Sequence, residues 1–259
     1  MKKLLLLTLV IVTLTSLFYC QNTPAKVKNG WETNNLKGKV KSYTESKYDV
    51  ADSFGKIQEI EGSLKDKNTY KFDDKGNCIE VNVFNADGKL DFKKISKFDE
   101  KGNCIEVNVT NADGKLDFKT ISKYDDKGNC IESNCYKSDG SLYIKVTYKY
   151  DDEGNPIEEN LYIADGSLDN RKTYKYDDNG NRIEVKGYNA EFNLDYKESY
   201  KYDDNGNRIE TNVYNAEGSL KYKKTYKYEF DEKGNWIKII SFKNQIPENI
   251  KEREYEYYK

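Results

Sequence analysis

The chain has no histidine, a single methionine and three prolines. The first gap removes imidazole from general acid–base catalysis, from metal ligation and from activation of a nucleophile. Apolar residues are scarce too. With 36% hydrophobic and 34% charged residues over 259 positions, the chain cannot hide much in a conventional core, so something else organises it. A strong charge of either sign is also missing, and a net charge of −2 argues against nucleic acid as a partner. One long apolar run is present, from Leu4 to Tyr19, and it is short for a transmembrane helix. What the chain has in quantity is tyrosine, with 23 copies.

Lys2 and Lys3 ahead of that run make it a secretory signal, a charged n-region followed by an apolar h-region. It ends in Leu17-Phe18-Tyr19-Cys20, which resembles the lipobox of a bacterial lipoprotein. The resemblance implies cleavage before Cys20, lipid on that cysteine, and a cell-envelope location at the outer membrane or cell surface with the membrane as partner. Residues 1–19 are then a signal peptide, 20–35 a lipidated cysteine with a polar tether, and 36–259 the folded body. Removing 1–19 takes away two lysines and leaves 41 basic against 45 acidic residues, near −4.

The body repeats itself. Gly-Asn occurs at 76, 102, 128, 154, 180, 206 and 234, at intervals of 26 residues five times and then 28. A fixed period of this length signals a repeat architecture. Each unit holds two alternating stretches separated by two turn signals, Asn-Ala-Asp-Gly and Asp-Asp-x-Gly-Asn, the punctuation of antiparallel hairpins. A two-residue turn at Asn179-Gly180 sets Tyr176 opposite Ile183 and Lys175 opposite Glu184. A four-residue turn at 189–192 sets Val185 opposite Tyr196 and Glu184 opposite Lys197. Both place Ile183, Val185, Leu194, Tyr196, Tyr200 and Tyr202 on one face and Glu184, Lys197 and Lys201 on the other. The row Lys94, Thr120, Val146, Lys172, Glu198 and Lys224 falls on the apolar face, from which a bulge would rotate it outward. The predicted fold is all-β: a repetitive antiparallel meander of about seventeen strands, roughly 80 Å wide if flat, coiled into an elongated or spiral sheet.

Tyr200-Lys-Tyr-Asp-Asp-Asn-Gly-Asn-Arg-Ile209, with echoes at Tyr148 and Tyr174, resembles the Tyr-Asp or Rhs-like repeat of bacterial surface proteins over roughly residues 36–259. That family implies spiralling β-sheet shells. A weaker resemblance is to repeat antitoxin-like proteins built of short Gly-Asn hairpins.

Few places suit chemistry. The pairs Asp73-Asp74, Asp125-Asp126, Asp151-Asp152, Asp177-Asp178 and Asp203-Asp204 could be imagined as acid and base, but an active site needs one distinctive constellation, whereas a turn needs the same residues every time. The Asn85 to Asp91 stretch lacks the first and twelfth ligands of a calcium loop. Cys78, Cys104 and Cys130 share one slot two strands apart, about 9.5 Å, against less than about 7 Å for a disulfide. They read as polar-face residues, with Cys135 on the opposite face. Tyr136, Tyr162, Tyr188 and Tyr214 fall on the outer face beside a turn, where an aromatic row could stack on sugar rings or seat a peptide. These four are the candidate ligand-binding residues; no catalytic residue, metal or cofactor is expected.

The expected function is a non-catalytic envelope lipoprotein acting as a surface binding or scaffolding module for an extracellular glycan or protein, with a periplasmic assembly or antitoxin-like role as the alternative. A glycan-acting enzyme would need a constellation that breaks the repeat. A transmembrane barrel would need strands of about 9–11 residues with a clean lipid face. The Ile-containing strands look nearer seven, and the charged mid-strand row spoils that face.

Overall fold

The computed structural model describes residues 29–53 and 56–259. The signal sequence, Cys20 and the tether as far as residue 28 lie outside the described residues. A one-turn helix, α1 (Gly30–Thr33), precedes two long strands, β1 (Val40–Ser53) and β2 (Lys56–Phe72). The repeats then supply β3 (Cys78–Phe84), β4 (Leu90–Phe98), β5 (Cys104–Asn111), β6 (Leu116–Tyr124), β7 (Cys130–Lys137) and β8 (Leu142–Tyr150). They continue through β9 (Pro156–Ile163), β10 (Leu168–Tyr176), β11 (Arg182–Asn189), β12 (Leu194–Tyr202), β13 (Arg208–Asn215) and β14 (Leu220–Phe230). The chain ends with β15 (Trp236–Lys243) and β16 (Ile246–Tyr257).

Every strand pairs antiparallel with its sequence neighbour, and β16 returns to pair with β1. The sheet is therefore a closed barrel of sixteen strands, not the open, coiled sheet of about seventeen that the repeat predicts. Among the described residues closure leaves no edge strand to pair with another chain. Sixteen strands about 4.8 Å apart and tilted by about 40° make a cylinder about 30 Å across at the backbone.

The turns explain the repeated residues. Asp177 accepts from the backbone N–H of Asn179 and Asn181 through one carboxylate oxygen, and from the Asn181 side chain through the other. The same cap recurs at Asp73, Asp125 and Asp203. At the other end of the barrel Asn85 and Asn111 cap their turns in the same manner. The paired aspartates are thus turn residues.

Two bulges per repeat decide the register. Lys175 lies opposite Glu184 as predicted, but Tyr176 then meets Arg182, which leaves Ile183 as the extra residue, 37% exposed. On the other side Val185 meets Glu198 and Gly187 meets Tyr196, a slip of two residues from the predicted pairing, and Leu194 comes opposite Tyr188. A slip of two preserves the faces, so Val185, Tyr196, Tyr200 and Tyr202 point inward and Glu184, Lys197 and Lys201 outward. Each bulge adds twist and bend, and the same increment in every repeat curls the sheet until its ends meet.

The mid-strand row is not rotated outward. Lys94, Thr120 and Val146 are buried on the inner face, at 6%, 3% and 2% exposure. The outer wall carries the charge. Glu106 lies between Lys97 at 2.7 Å and Lys119 at 2.8 Å, and Glu132 and Glu210 are bracketed in the same way. The hydrogen bond from Lys119, helped by Lys97 and Asn108, holds the Glu106 carboxyl down at about 2.

β1 and β16 join through different chemistry. Glu45, buried, accepts from Lys251 at 2.8 Å and from the Arg253 Nε at 2.9 Å. The Arg253 guanidinium lies 4.2 Å from the Tyr43 ring centre and 3.9 Å from that of Trp236. Below them α1, capped by Asn29 and Glu32, docks on the turn after β2: the Trp31 N–H donates to Gly76 O, and Asn29 to Lys75 O. Lys37 and the Asn235 side chain exchange two hydrogen bonds, and Tyr258 donates to Phe72 O. Leu36, Val40, Tyr43 and Phe72 form the buried cluster at this junction.

Candidate functional site

Two surfaces carry side chains beyond what the sheet needs: the inner wall of β8 to β14 and the outer rim at the Asn-Ala-Asp-Gly end.

The inner wall is built by the bulges. A bulge next to the first residue of each odd repeat strand turns that residue inward, and its carbonyl accepts a hydrogen bond from a tyrosine. A tyrosine near the end of the next strand is the donor: Tyr150 donates to Cys130 O at 2.7 Å, Tyr202 to Arg182 O at 2.8 Å and Tyr228 to Arg208 O at 2.8 Å. This is the physical reason for the second tyrosine of Tyr-Lys-Tyr-Asp. The inward bulge residues then stack on the first tyrosine. Arg182 lies between Tyr174 and Tyr200, at 5.2 and 5.7 Å, and Arg208 between Tyr200 and Tyr226, at 5.2 and 5.5 Å. Beside this ladder Glu159, buried, accepts from Lys172 at 3.1 Å and from the Tyr174 hydroxyl at 2.9 Å, and Tyr200 donates to Glu198. The wall can present aromatic faces, guanidinium groups and carboxylates together to a solute inside the barrel.

The cysteines belong to the same wall. Cys130 occupies the slot of Arg182 and is buried, with its sulfur 3.3 Å from the Ser133 hydroxyl. It does not sit on the polar face but on the inner side, which it shares with Cys135, buried there against Ile144, Val146 and Leu161. Burial pushes the Cys135 thiol up to about 11 and raises that of Cys130. The four described cysteines form no disulfide with one another. Among the described residues no group of His, Cys, Asp or Glu is arranged to hold a metal ion.

The outer rim holds the four singled-out tyrosines. Tyr136, Tyr162, Tyr188 and Tyr214 lie half-buried near the ends of β7, β9, β11 and β13, directly across from Lys119, Lys145, Arg171 and Lys197. The structure thus brings each together with a cation, one strand away, that the face assignment alone did not pair with it. The Lys197 ammonium rests 4.6 Å from the centre of the Tyr214 ring. Lipidation of Cys20 concerns a residue outside the described ones.

No family model matches the sequence, and no curated protein does. Among solved structures, a porin-like protein from Bacteroides uniformis is similar over 84% of this chain and 98% of its own, at 11% identity and a TM-score of 0.56. A porin-like protein from Bacteroides vulgatus covers 85% and 100%, at 11% identity and a TM-score of 0.51. At these identities the likeness shows the fold. Chains of the Tc holotoxin pore of Photorhabdus luminescens align with 69% of this chain and 12% of theirs at 14% identity, with a TM-score of 0.33 that is too low to support an argument.

These findings correct the sequence-based function. The spiral shell implied by the Tyr-Asp repeat, and with it the open binding or scaffolding module and the assembly or antitoxin-like alternative, give way to a closed barrel of porin-like fold. Of the two grounds raised against a transmembrane barrel, the charged mid-strand row fails, because it faces inward, whereas the Ile-containing strands are short as expected, with seven residues in β3 and eight in β5.

Proposed function

We propose that the protein is a water-faced β-barrel of the cell envelope whose lumen is its working space, holding an amphipathic solute against the aromatic and charged wall of β8 to β14. The observation that carries this reading is the closure of sixteen strands around that wall. Barrels of this strand number are too wide for side chains to fill and leave an aqueous interior. Solvent outside the barrel is supported by the outer Glu rows with their flanking cations. A lipid-facing wall carries instead an apolar band about 25 Å tall, and each Lys or Arg at its midplane costs about 2–4 kcal/mol. The porin-like fold supports an envelope location, and lipid on Cys20 would hold a water-faced barrel at a membrane surface.

A second reading, a membrane-spanning pore, is favoured by the closure and by the porin-like neighbours. One preparation separates the two. Detergent-free protein is titrated with the amphiphile anilinonaphthalene sulfonate and then added to a planar bilayer. The expected result is saturable binding, weakened tenfold or more by Arg208→Gln or Tyr226→Ala, and no conductance. Stepwise conductance would establish the pore, and neither binding nor conductance would remove the lumen as the working space.

A further inference from the structure

One repeat departs from its sisters on the outer rim. In the turns beginning at Asn85, Asn111, Lys137, Ile163 and Asn215 the fourth residue is glycine at φ between +73° and +87°. In the turn beginning at Asn189 that position is Phe192, at φ +63° and 57% exposed. A bulky residue gains nothing locally from the left-handed region, and strain of this kind persists where the side chain is needed. The Phe192 ring is placed under Arg171, whose guanidinium lies 5.7 Å from its centre. Arg171 is also the residue directly across from Tyr188. Its Nε is buried without a hydrogen-bond acceptor, although the same guanidinium pairs with Glu158. Two strands on from Arg171, Lys197 lies over Tyr214 and, among the described residues, has no carboxylate within ion-pair distance, whereas its counterparts Lys119, Lys145 and Lys223 are each bound to a glutamate. Two half-buried tyrosine rings two strands apart, about 9.6 Å, the exposed Phe192 ring under Arg171, and the two cations Arg171 and Lys197 therefore occupy one stretch of rim.

We propose that Tyr188, Phe192, Arg171, Lys197 and Tyr214 form a binding site for an acidic polysaccharide that runs across the strands along the rim. Sugar rings stack on the tyrosine and phenylalanine faces, and the acidic substituents meet Arg171 and Lys197. Rigid aromatic platforms suit the apolar faces of sugar rings, and a guanidinium suits a planar carboxylate or a sulfate through paired hydrogen bonds. A neutral glycan would leave both cations unused, and an acidic peptide would leave the spaced rings unused. The site lies outside the barrel, so it stands or falls separately from the luminal reading.

The test uses the full chain in affinity electrophoresis through gels containing heparin, polygalacturonate or hyaluronan, with dextran as the neutral control and polyglutamate as the charge control. Retardation is expected in at least one acidic glycan, weakened by salt, with none in dextran and little in polyglutamate. Tyr188→Ala, Tyr214→Ala and Lys197→Gln should each reduce the affinity tenfold or more. Phe192→Gly should lower the affinity while raising the melting temperature, because glycine relieves the backbone, and a variant that is more stable yet binds less cannot be explained by misfolding. Equal retardation in polyglutamate would identify simple charge attraction and overturn the proposal. So would migration of the wild type unchanged in all three acidic glycans, or variants that bind like the wild type.

Discussion

From β3 to β14 each strand meets its neighbour through the same parts: an aspartate- or asparagine-capped turn, a bulge, a glutamate between two cations outside and a tyrosine or aliphatic residue inside. Where β1 meets β16 almost none of these recurs. The junction is held by Glu45 with Lys251 and Arg253, by the Arg253 guanidinium between Tyr43 and Trp236, and by α1 docked on the turn at Gly76. In the wall, stability is spread over many similar neighbour contacts, so one change is absorbed locally. At the seam the β1–β16 ladder joins two segments some 200 residues apart and is backed by these unlike side-chain contacts, whose loss weakens the pairing that removes the sheet edge.

Arg253→Ala should separate the two regions most widely. It strands Glu45 beside Lys251 alone and empties the space between two rings, and removing one partner of a buried pair costs about 3–5 kcal/mol. Glu106→Gln in the wall, facing solvent, should cost under about 1 kcal/mol. Urea midpoints of the two variants check the contrast, and equal shifts would mean that the seam is no more critical than any hairpin.

Glycines of the same turn slot give a smaller but cleaner difference. Gly180 has φ +77° and open space around it, so Gly180→Ala should cost about 1–2 kcal/mol for the left-handed backbone alone. At Gly76, φ +87°, an added Cβ would sit 2.6 Å from the Trp31 ring, and Gly76→Ala should cost more and shift the Trp31 emission to the red as α1 lifts. Thermal melts followed by fluorescence read both.

Acid should act on the wall. The carboxyls of Glu106, Glu132 and Glu210 are held down to about 2 by hydrogen bonds, led by those from Lys119, Lys123 and Lys223 respectively. The folded state thus binds fewer protons than the unfolded one as pH falls below the ordinary 4.5. Stability from this row should be complete above that pH and decline toward about 2, with a shallower decline when Glu106 and Glu132 are both glutamine. The smallest effect concerns thiols. Cys130 and Cys135, buried and raised in pKa, should resist alkylation at pH 8 in the native state and react on unfolding, as mass spectrometry would show.

Much of the wall was legible in the sequence because a period of 26 residues repeats every local requirement. Turn chemistry placed the hairpins, and alternation put Val185, Tyr200 and Lys201 on the faces they occupy. Bulges were not legible, since a turn that pairs residues by simple counting has no room for an extra one. Ile183, Leu194 and Cys130 were misplaced for that reason. Closure was hidden as well, because Thr44 and Glu254 face each other with no shared motif. The available signal lay in the departures from the repeat: Trp236 in the slot of Cys130 and Arg182, Glu45 on an inward position of β1, and Trp31 ahead of the first strand. The rim followed the same rule, for Tyr188 and Tyr214 were visible as a periodic row, while Phe192 in a glycine position was the sharper mark.

Closure itself is most directly measured by cross-linking across the seam. In a chain whose five cysteines are replaced by serine, Thr44→Cys and Glu254→Cys face each other across the β1–β16 pair. Opposed residues of antiparallel strands have Cα atoms about 4.5–5.5 Å apart, within disulfide reach. Mild oxidation should therefore close a cyclic monomer that migrates faster on a non-reducing gel, as readily as the within-repeat pair Lys197→Cys and Tyr214→Cys does. If the repeat pair cross-links and the seam pair stays reduced, the sheet is open and the closed barrel is wrong.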